Sequence, residues 1–160
     1  MKVKFWGVRG SIPVSNASTI KHGGNTSCIE VTSDNTIIIL DAGTGIRQLG
    51  MDFFKNTKNT KIHILITHSH WDHIQGLPFF TPLFIASNEI HIYGPNHHDK
   101  TFHELLEVQL DGVYFPIRHF ELQSKIIHHD LKEETFNIDN IQISARFLNH
   151  PIYMLAYRLI

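Results

Sequence analysis

Short apolar runs with a period of two recur along this chain, separated by small polar turns, and they predict strands. Lys2 to Val8 alternates charged and apolar residues and meets Gly7, so it reads as a strand entering a turn. Cys28 to Val31 and Thr36 to Leu40 read as two strands joined tightly through Ser33-Asp34-Asn35. Ile46, Leu49, Met51 and Phe54 then switch to helical spacing. Lys61 to Ile66 and Glu89 to Tyr93 return to strand, the latter ended by Gly94-Pro95. Between them a short helix around Ile74 is disturbed by Pro78, and a Pro-broken apolar segment runs from Phe79 to Phe84. Thr101 to Leu110 sets Phe102, Leu105, Leu106 and Val108 against Glu104 and Glu107, an amphipathic helix. Lys125 to Leu131, Glu134 to Ile138 and Ile141 to Leu148 are the last predicted strands, the final one running into Asn149-His150-Pro151.

Interleaved strands and helices place the chain in the α/β class. Several neighbouring strands are linked by turns too short for a crossover, which requires antiparallel pairs and hence mixed sheets. Without repeat, low-complexity tract or linker, the 160 residues read as one domain. A formal charge of -1 gives no global field for nucleic acid or membrane, so an anionic substrate has to be held locally. The single cysteine, Cys28, has no intramolecular partner, and no long apolar run marks export or membrane insertion; a reducing cytoplasm is the expected compartment.

What stands out in composition is 13 His, and three of them fall together with a carboxylate in Thr67-His68-Ser69-His70-Trp71-Asp72-His73. His68 and His70, two apart as the chain leaves a strand, can point to one side and chelate one ion. Asp72 and His73 turn away as the helix starts and suit a neighbouring ion. Two His with a third ligand from elsewhere fit Zn2+, while the carboxylate-plus-His position admits Zn2+, Mn2+ or Fe. His150, also in a loop after an apolar strand, is the nominated third ligand. A pair of ions would activate water and clamp the oxygens of an ester or phosphodiester, so hydrolysis is the expected chemistry. Asp41, at the end of a buried strand, is either a cap or turn residue or an acceptor behind a metal-binding His. Arg9, Asn25 and Thr26, in loops rich in Gly and hydroxyl residues, either contact phosphate or stabilise their loops. Phe79, Phe80, Tyr114 and Phe115 read as core rather than as base-stacking platforms. The pairs His97-His98 and His128-His129 read as solvated surface.

The His68 to His73 loop, with Gly7 to Pro13, Gly23 to Cys28, Leu40 to Gly45, Tyr114 to Pro116 and Leu148 to Pro151, resembles the metallo-β-lactamase superfamily. Within it, these motifs look like the branch close to ribonuclease Z and bacterial cyclic-nucleotide phosphodiesterases. The resemblance implies an αβ/βα sandwich with mixed sheets and metals at one edge. It implies that His68, His70 and His150 hold one metal, that Asp72 and His73 contribute to another, and that Asp72 orients or deprotonates the attacking water, making Asp72 and His73 the catalytic pair. Two Zn2+ per complete site are expected, with Mn2+ or Fe as alternatives. The implied substrate is a small-molecule or nucleotide phosphodiester, cyclic or RNA-like.

The same resemblance implies an Asp and a His downstream of His150, and neither residue type follows it here. The expectation is therefore a single domain, 1–160, lacking its C-terminal portion. Truncation, a homo-oligomer or complementing chain that supplies the missing ligands, or an altered half-domain would each account for that. The readings to be separated are a phosphodiester hydrolase, a thioester or lactam hydrolase on the same fold, and a metal- or partner-binding half-domain without turnover.

Overall fold

A computed structural model describes residues 1–56 and 61–160, and of residues 54–56 the backbone alone, so the side chain of Phe54 lies outside the described residues. A six-stranded mixed sheet runs in the order β1 (Lys2–Gly7), β2 (Cys28–Ser33), β3 (Thr36–Leu40), β4 (Lys61–Leu65), β5 (Glu89–Pro95), β6 (Lys125–Leu131). The first three strands are antiparallel neighbours and the last four are parallel. A smaller antiparallel sheet follows, β7 (Glu134–Ile138), β8 (Ile141–Phe147) and β9 (Leu155–Leu159). β5 extends through Gly94 and Pro95, which the sequence suggests as a stop. Those residues pair only with β6, because β4 has already ended, so the missing Pro95 N–H interrupts no ladder on that side.

Period-two alternation sends the residues of β3, β4 and β5 to two separate cores. Ile37, Ile39, Ile62, Ile64, Ile90 and Ile92 face the helices, packing on Ile46, Leu49 and Phe53 of α1 (Gly45–Asn56) and on Phe102 and Leu106 of α3 (Phe102–Glu107). Ile38, Leu65 and Tyr93 face the small sheet through Ile138, Ile141, Ile143, Ala145 and Leu155. The layers are thus helices, mixed sheet and second sheet. The predicted amphipathic helix opens on Thr101, whose side chain caps the Glu104 N–H while Glu104 reaches back, and it tightens into a 3-10 turn at Val108–Leu110. The helix expected around Ile74 begins earlier, as α2 (Trp71–Ile74) inside the histidine motif, and Pro78 starts a separate 3-10 turn.

His63 is buried between the two sheets, its Nδ1 3.0 Å from the Tyr93 hydroxyl and its Nε2 without a partner. Burial, with His91 alongside, pushes its pKa down from 6.5 to about 4. Above pH 6.5 this site is neutral folded or unfolded. Between 6.5 and 4 the unfolded chain takes up the proton first, so stability falls across that window and levels off below it. The loss from this residue is on the order of 2–3 kcal/mol. Urea unfolding at pH 7.5 and 4.5 checks it: His63→Gln, which keeps a partner for Tyr93, should shrink the difference by about that amount, and an unchanged difference removes His63 as a contributor.

Candidate metal centre

The centre forms where β3 and β4 end side by side. Asp41 leaves β3 in the left-handed region (φ 61°), a conformation Asp tolerates better than most residues. This turn brings its buried carboxylate back over β4. Oδ1 accepts from the Thr67 N–H (2.8 Å) and the Thr67 hydroxyl (2.9 Å), and Oδ2 accepts from the Ser27 hydroxyl (3.0 Å) and lies 2.7 Å from His73 Nδ1. Since the Thr67 proton goes to Asp41, its oxygen accepts from His68 Nδ1 at 2.9 Å. Asp41 therefore sets both rings, His73 directly and His68 through Thr67, and leaves Nε2 of each facing outward. The sequence leaves Asp41 between a turn and an acceptor role; it occupies the turn at φ 61° and faces His73 Nδ1 at 2.7 Å.

His68 Nε2 lies 3.1 Å from His70 Nδ1, which lies 3.3 Å from His150 Nε2. One ring nitrogen from each of the three lies within 4.8 Å of the others. His150 arrives on the β8–β9 loop, which is held over the motif by the Leu155 N–H donating to Thr67 O (2.9 Å) and the Tyr157 hydroxyl donating to Ile66 O (2.7 Å). Burial, and then His73 and His70, push the His68 pKa down to about 4, so its ring is neutral and its lone pair free at pH 7. Three imidazole nitrogens converging at this distance, one with its other nitrogen already anchored, fit a divalent cation.

Asp72 and His73 sit on α2 beside this trio, with the His68 and His73 ring centroids 4.2 Å apart. His73 Nε2 is 3.5 Å from Asp72 Oδ2, and that oxygen also accepts from the Ser11 N–H at 2.7 Å. Burial opposes protonation of His73, but the bond and charge of Asp41, with Asp72, outweigh it and hold its pKa above the ordinary value. Gly43 lets the two loops meet: a Cβ there would fall 2.3 Å from Asp72 O and 2.4 Å from Thr26 Oγ1. Thr26 is fully buried and exchanges hydrogen bonds with Thr44, so it clips the loop. Asn25 is exposed and accepts from Thr44 Oγ1, while Arg9 Nε donates to Ile12 O. Thr67, Ser27 and Ser11, which spacing did not single out, supply the supporting bonds; the available signal was their position within or beside Gly-rich loops and the motif.

An open cleft of about 520 Å3 adjoins the loop, lined by Trp71, Gln75, Phe79, Tyr114 and Phe115 among others. Phe79 and Phe115 meet edge to face at 5.3 Å. The expectation of core holds for Phe80, which is fully buried, and is corrected for Phe79 and Tyr114, which are mostly exposed, while Phe115 is half-buried; Trp71 is mostly exposed as well. Phe79 ends one 3-10 turn and Phe80 is the extended residue before the next, so the two side chains leave the backbone in different environments.

A protein-family model described as Anti-Pycsar protein Apyc1 matches residues 10–159. Ribonuclease Z of Staphylococcus carnosus is 28% identical over 167 residues, covering 99% of this chain and 49% of that protein. Ribonuclease Z of Methanococcus maripaludis strain C6 is 29% identical over 162 residues, covering 98% and 48%. The chain spans about half the length of the curated relatives it matches. Among solved structures, a diphosphatase of the PhnP family aligns with TM-score 0.72 at 17% identity, covering 98% of this chain and 61% of that one. The short form of human tRNase Z aligns at 0.67 and 20%, covering 100% and 65%. The metallo-β-lactamase fold protein YhfI from Bacillus subtilis aligns at 0.66 and 20%, covering 99% and 56%. The fold is that of the metallo-β-lactamase proteins, with the mixed sheets that the short connections require.

Proposed function

This chain belongs to the family described as Anti-Pycsar protein Apyc1, and on that premise we propose that it is a metal-dependent hydrolase of phosphodiester bonds. The observation that carries the reading is the convergence of His68, His70 and His150 beside the Asp72–His73 pair. His68, His70 and His150 would hold one ion, and Asp72 and His73 contribute to another. The remaining ligands of that second position would come from a further stretch of polypeptide, a second copy or a complementing chain. Zn2+ is the ion of choice for three imidazoles, with Mn2+ or Fe as alternatives. Ions held there would supply Lewis-acid polarisation of a phosphoryl oxygen and acidify water. Asp72, held by the Ser11 N–H, would orient the attacking water and accept its proton, and Asp41 would keep His73 and His68 in their working tautomers.

The substrate class is a nucleotide phosphodiester, cyclic or RNA-like. The aromatic cleft beginning at Trp71 offers exposed π-faces for a base next to the histidines. Arg9 and Asn25, on the neighbouring loops, are candidates for phosphate contact. A reducing cytoplasm suits the single, fully buried Cys28, and among the described residues no helix is long and apolar enough to cross a membrane.

The test is hydrolysis of bis(p-nitrophenyl) phosphate, a cyclic mononucleotide and a short RNA, with Zn2+ or Mn2+ added and metal content measured. Added metal should raise the rate, and His70→Ala, on an exposed ring, should lower it by more than about 100-fold. Rates indifferent to His70→Ala would overturn the reading. A tightly held ion without turnover would leave a metal- or partner-binding domain in its place.

A further inference from the structure

We propose that His103, His119 and His128 form a binding site for one transition-metal dication, separate from the motif loop. The three come from different elements: His103 from α3, His119 from the 3-10 turn His119–Glu121, and His128 from β6, the last strand of the large sheet. One ligand nitrogen from each lies within 4.8 Å of the others, the same convergence as in the motif trio.

A cluster of imidazoles can also be plain aromatic packing, and the opposite face of the sheet shows what that looks like in this molecule. There His91, His129 and Tyr93 lie nearly parallel, at 14° and 8°, and their nitrogens are paired: His91 Nδ1 is 2.9 Å from His129 Nε2 and His91 Nε2 is 2.9 Å from Glu89. The His103 cluster is built differently. Its rings meet at 72°, 82° and 42°, with centroids 4.1, 4.9 and 5.6 Å apart. His103 Nδ1, His119 Nε2 and both nitrogens of His128 are buried without a partner. Buried polar atoms are nearly always satisfied by protein, water or an ion, so several unsatisfied nitrogens in one cluster point to a missing ligand.

The surroundings match a metal site. Glu107, one turn along α3, has Oε2 3.6 Å from His103 Nε2, the arrangement in which a carboxylate fixes an imidazole ligand from behind. An open cleft of about 480 Å3, lined in part by Glu107, Arg118 and His119, leads in from solvent. On the core side the neighbours of His119 and His128 are Leu106, Leu110, Leu122 and Ile126, which offer no competing side-chain donor or acceptor. Three imidazole ligands select Zn2+, Co2+, Ni2+ or Cu2+ over Mg2+ or Ca2+. Because its ligands come from α3, the 119–121 turn and β6, an ion here would clip the first two to the edge strand.

The experiment uses the full chain carrying His70→Ala and His150→Ala, which disables the motif trio at rings not fully buried. Titration with Co2+, followed by calorimetry and by visible absorption, should reveal one remaining ion per chain. His119→Phe, which keeps a ring of similar size, should weaken it by about 100-fold or more. Circular dichroism verifies the fold, and His103→Phe, on a half-exposed helix position, repeats the test should His119→Phe unfold. A folded background chain that retains no ion, or one whose ion is undiminished by these substitutions, overturns the proposal.

Discussion

Asp41→Ala is expected to lower the unfolding free energy by roughly 3–5 kcal/mol, the range seen when one member of a buried charged network is removed. The carboxylate is 4% exposed and receives the Thr67 N–H, the Thr67 hydroxyl and the Ser27 hydroxyl while facing His73 Nδ1. Alanine leaves these groups unsatisfied, at about 1–3 kcal/mol for each that finds no water. It also places a less tolerant residue at φ 61°. Asp41→Asn separates folding from function. Asn accepts that backbone conformation and keeps an oxygen for Thr67, but its amide N–H donates toward His73 Nδ1 and moves the ring proton to Nε2. Metal affinity at His73 should fall by about 10–100-fold in a folded protein. Urea unfolding reads the first effect and metal titration the second; wild-type affinity in Asp41→Asn would show that Asp41 does not set the tautomer.

Saturating Zn2+ is expected to raise the unfolding temperature, and His150→Ala to remove most of the part that belongs to the motif loop. At 100 times Kd an ion bound only by the folded state contributes about 2.7 kcal/mol, roughly 5–10 °C for a domain of this size. His150 meets His70 across 80 residues, so the ion joins the loop after β4 to the loop after β8. Without His150 two imidazoles remain, both beside the large sheet. His119→Phe should remove a separate share of the shift. Scanning calorimetry with and without Zn2+ checks both; a shift in His150→Ala equal to that of the wild type would exclude His150 as a ligand.

Local patterns made much of the molecule legible. Alternation located β1 to β8 to within a residue or two, because the large sheet lies between two cores and the small sheet covers one of them. The His68–His73 loop was legible because its residues are adjacent in sequence, and His150 because it too follows an apolar strand. What the sequence concealed depends on direction. His128 and His129 look like one polar patch, yet successive strand residues point to opposite faces, so one joins the His103 cluster and the other stacks on Tyr93. His103, His119 and His128 have no motif spacing; three separate elements have to pack before they meet. The role of Asp41 hinges on a single left-handed residue, which strand periodicity does not encode.

The two bonds by which β9 grips the end of β4, Leu155 N–H to Thr67 O and Tyr157 hydroxyl to Ile66 O, also order events in time. The second spans 91 residues, whereas the hairpins β2–β3, β7–β8 and β8–β9 close locally. Contacts so far apart carry the larger loop-closure entropy and form late. On a ribosome, β1 to β6 and the pair His68–His70 emerge well before Leu155. Completion of the trio then becomes a clock for the last docking step: the rate at which the chain acquires a three-imidazole chelate should equal the rate at which the small sheet seats on the large one.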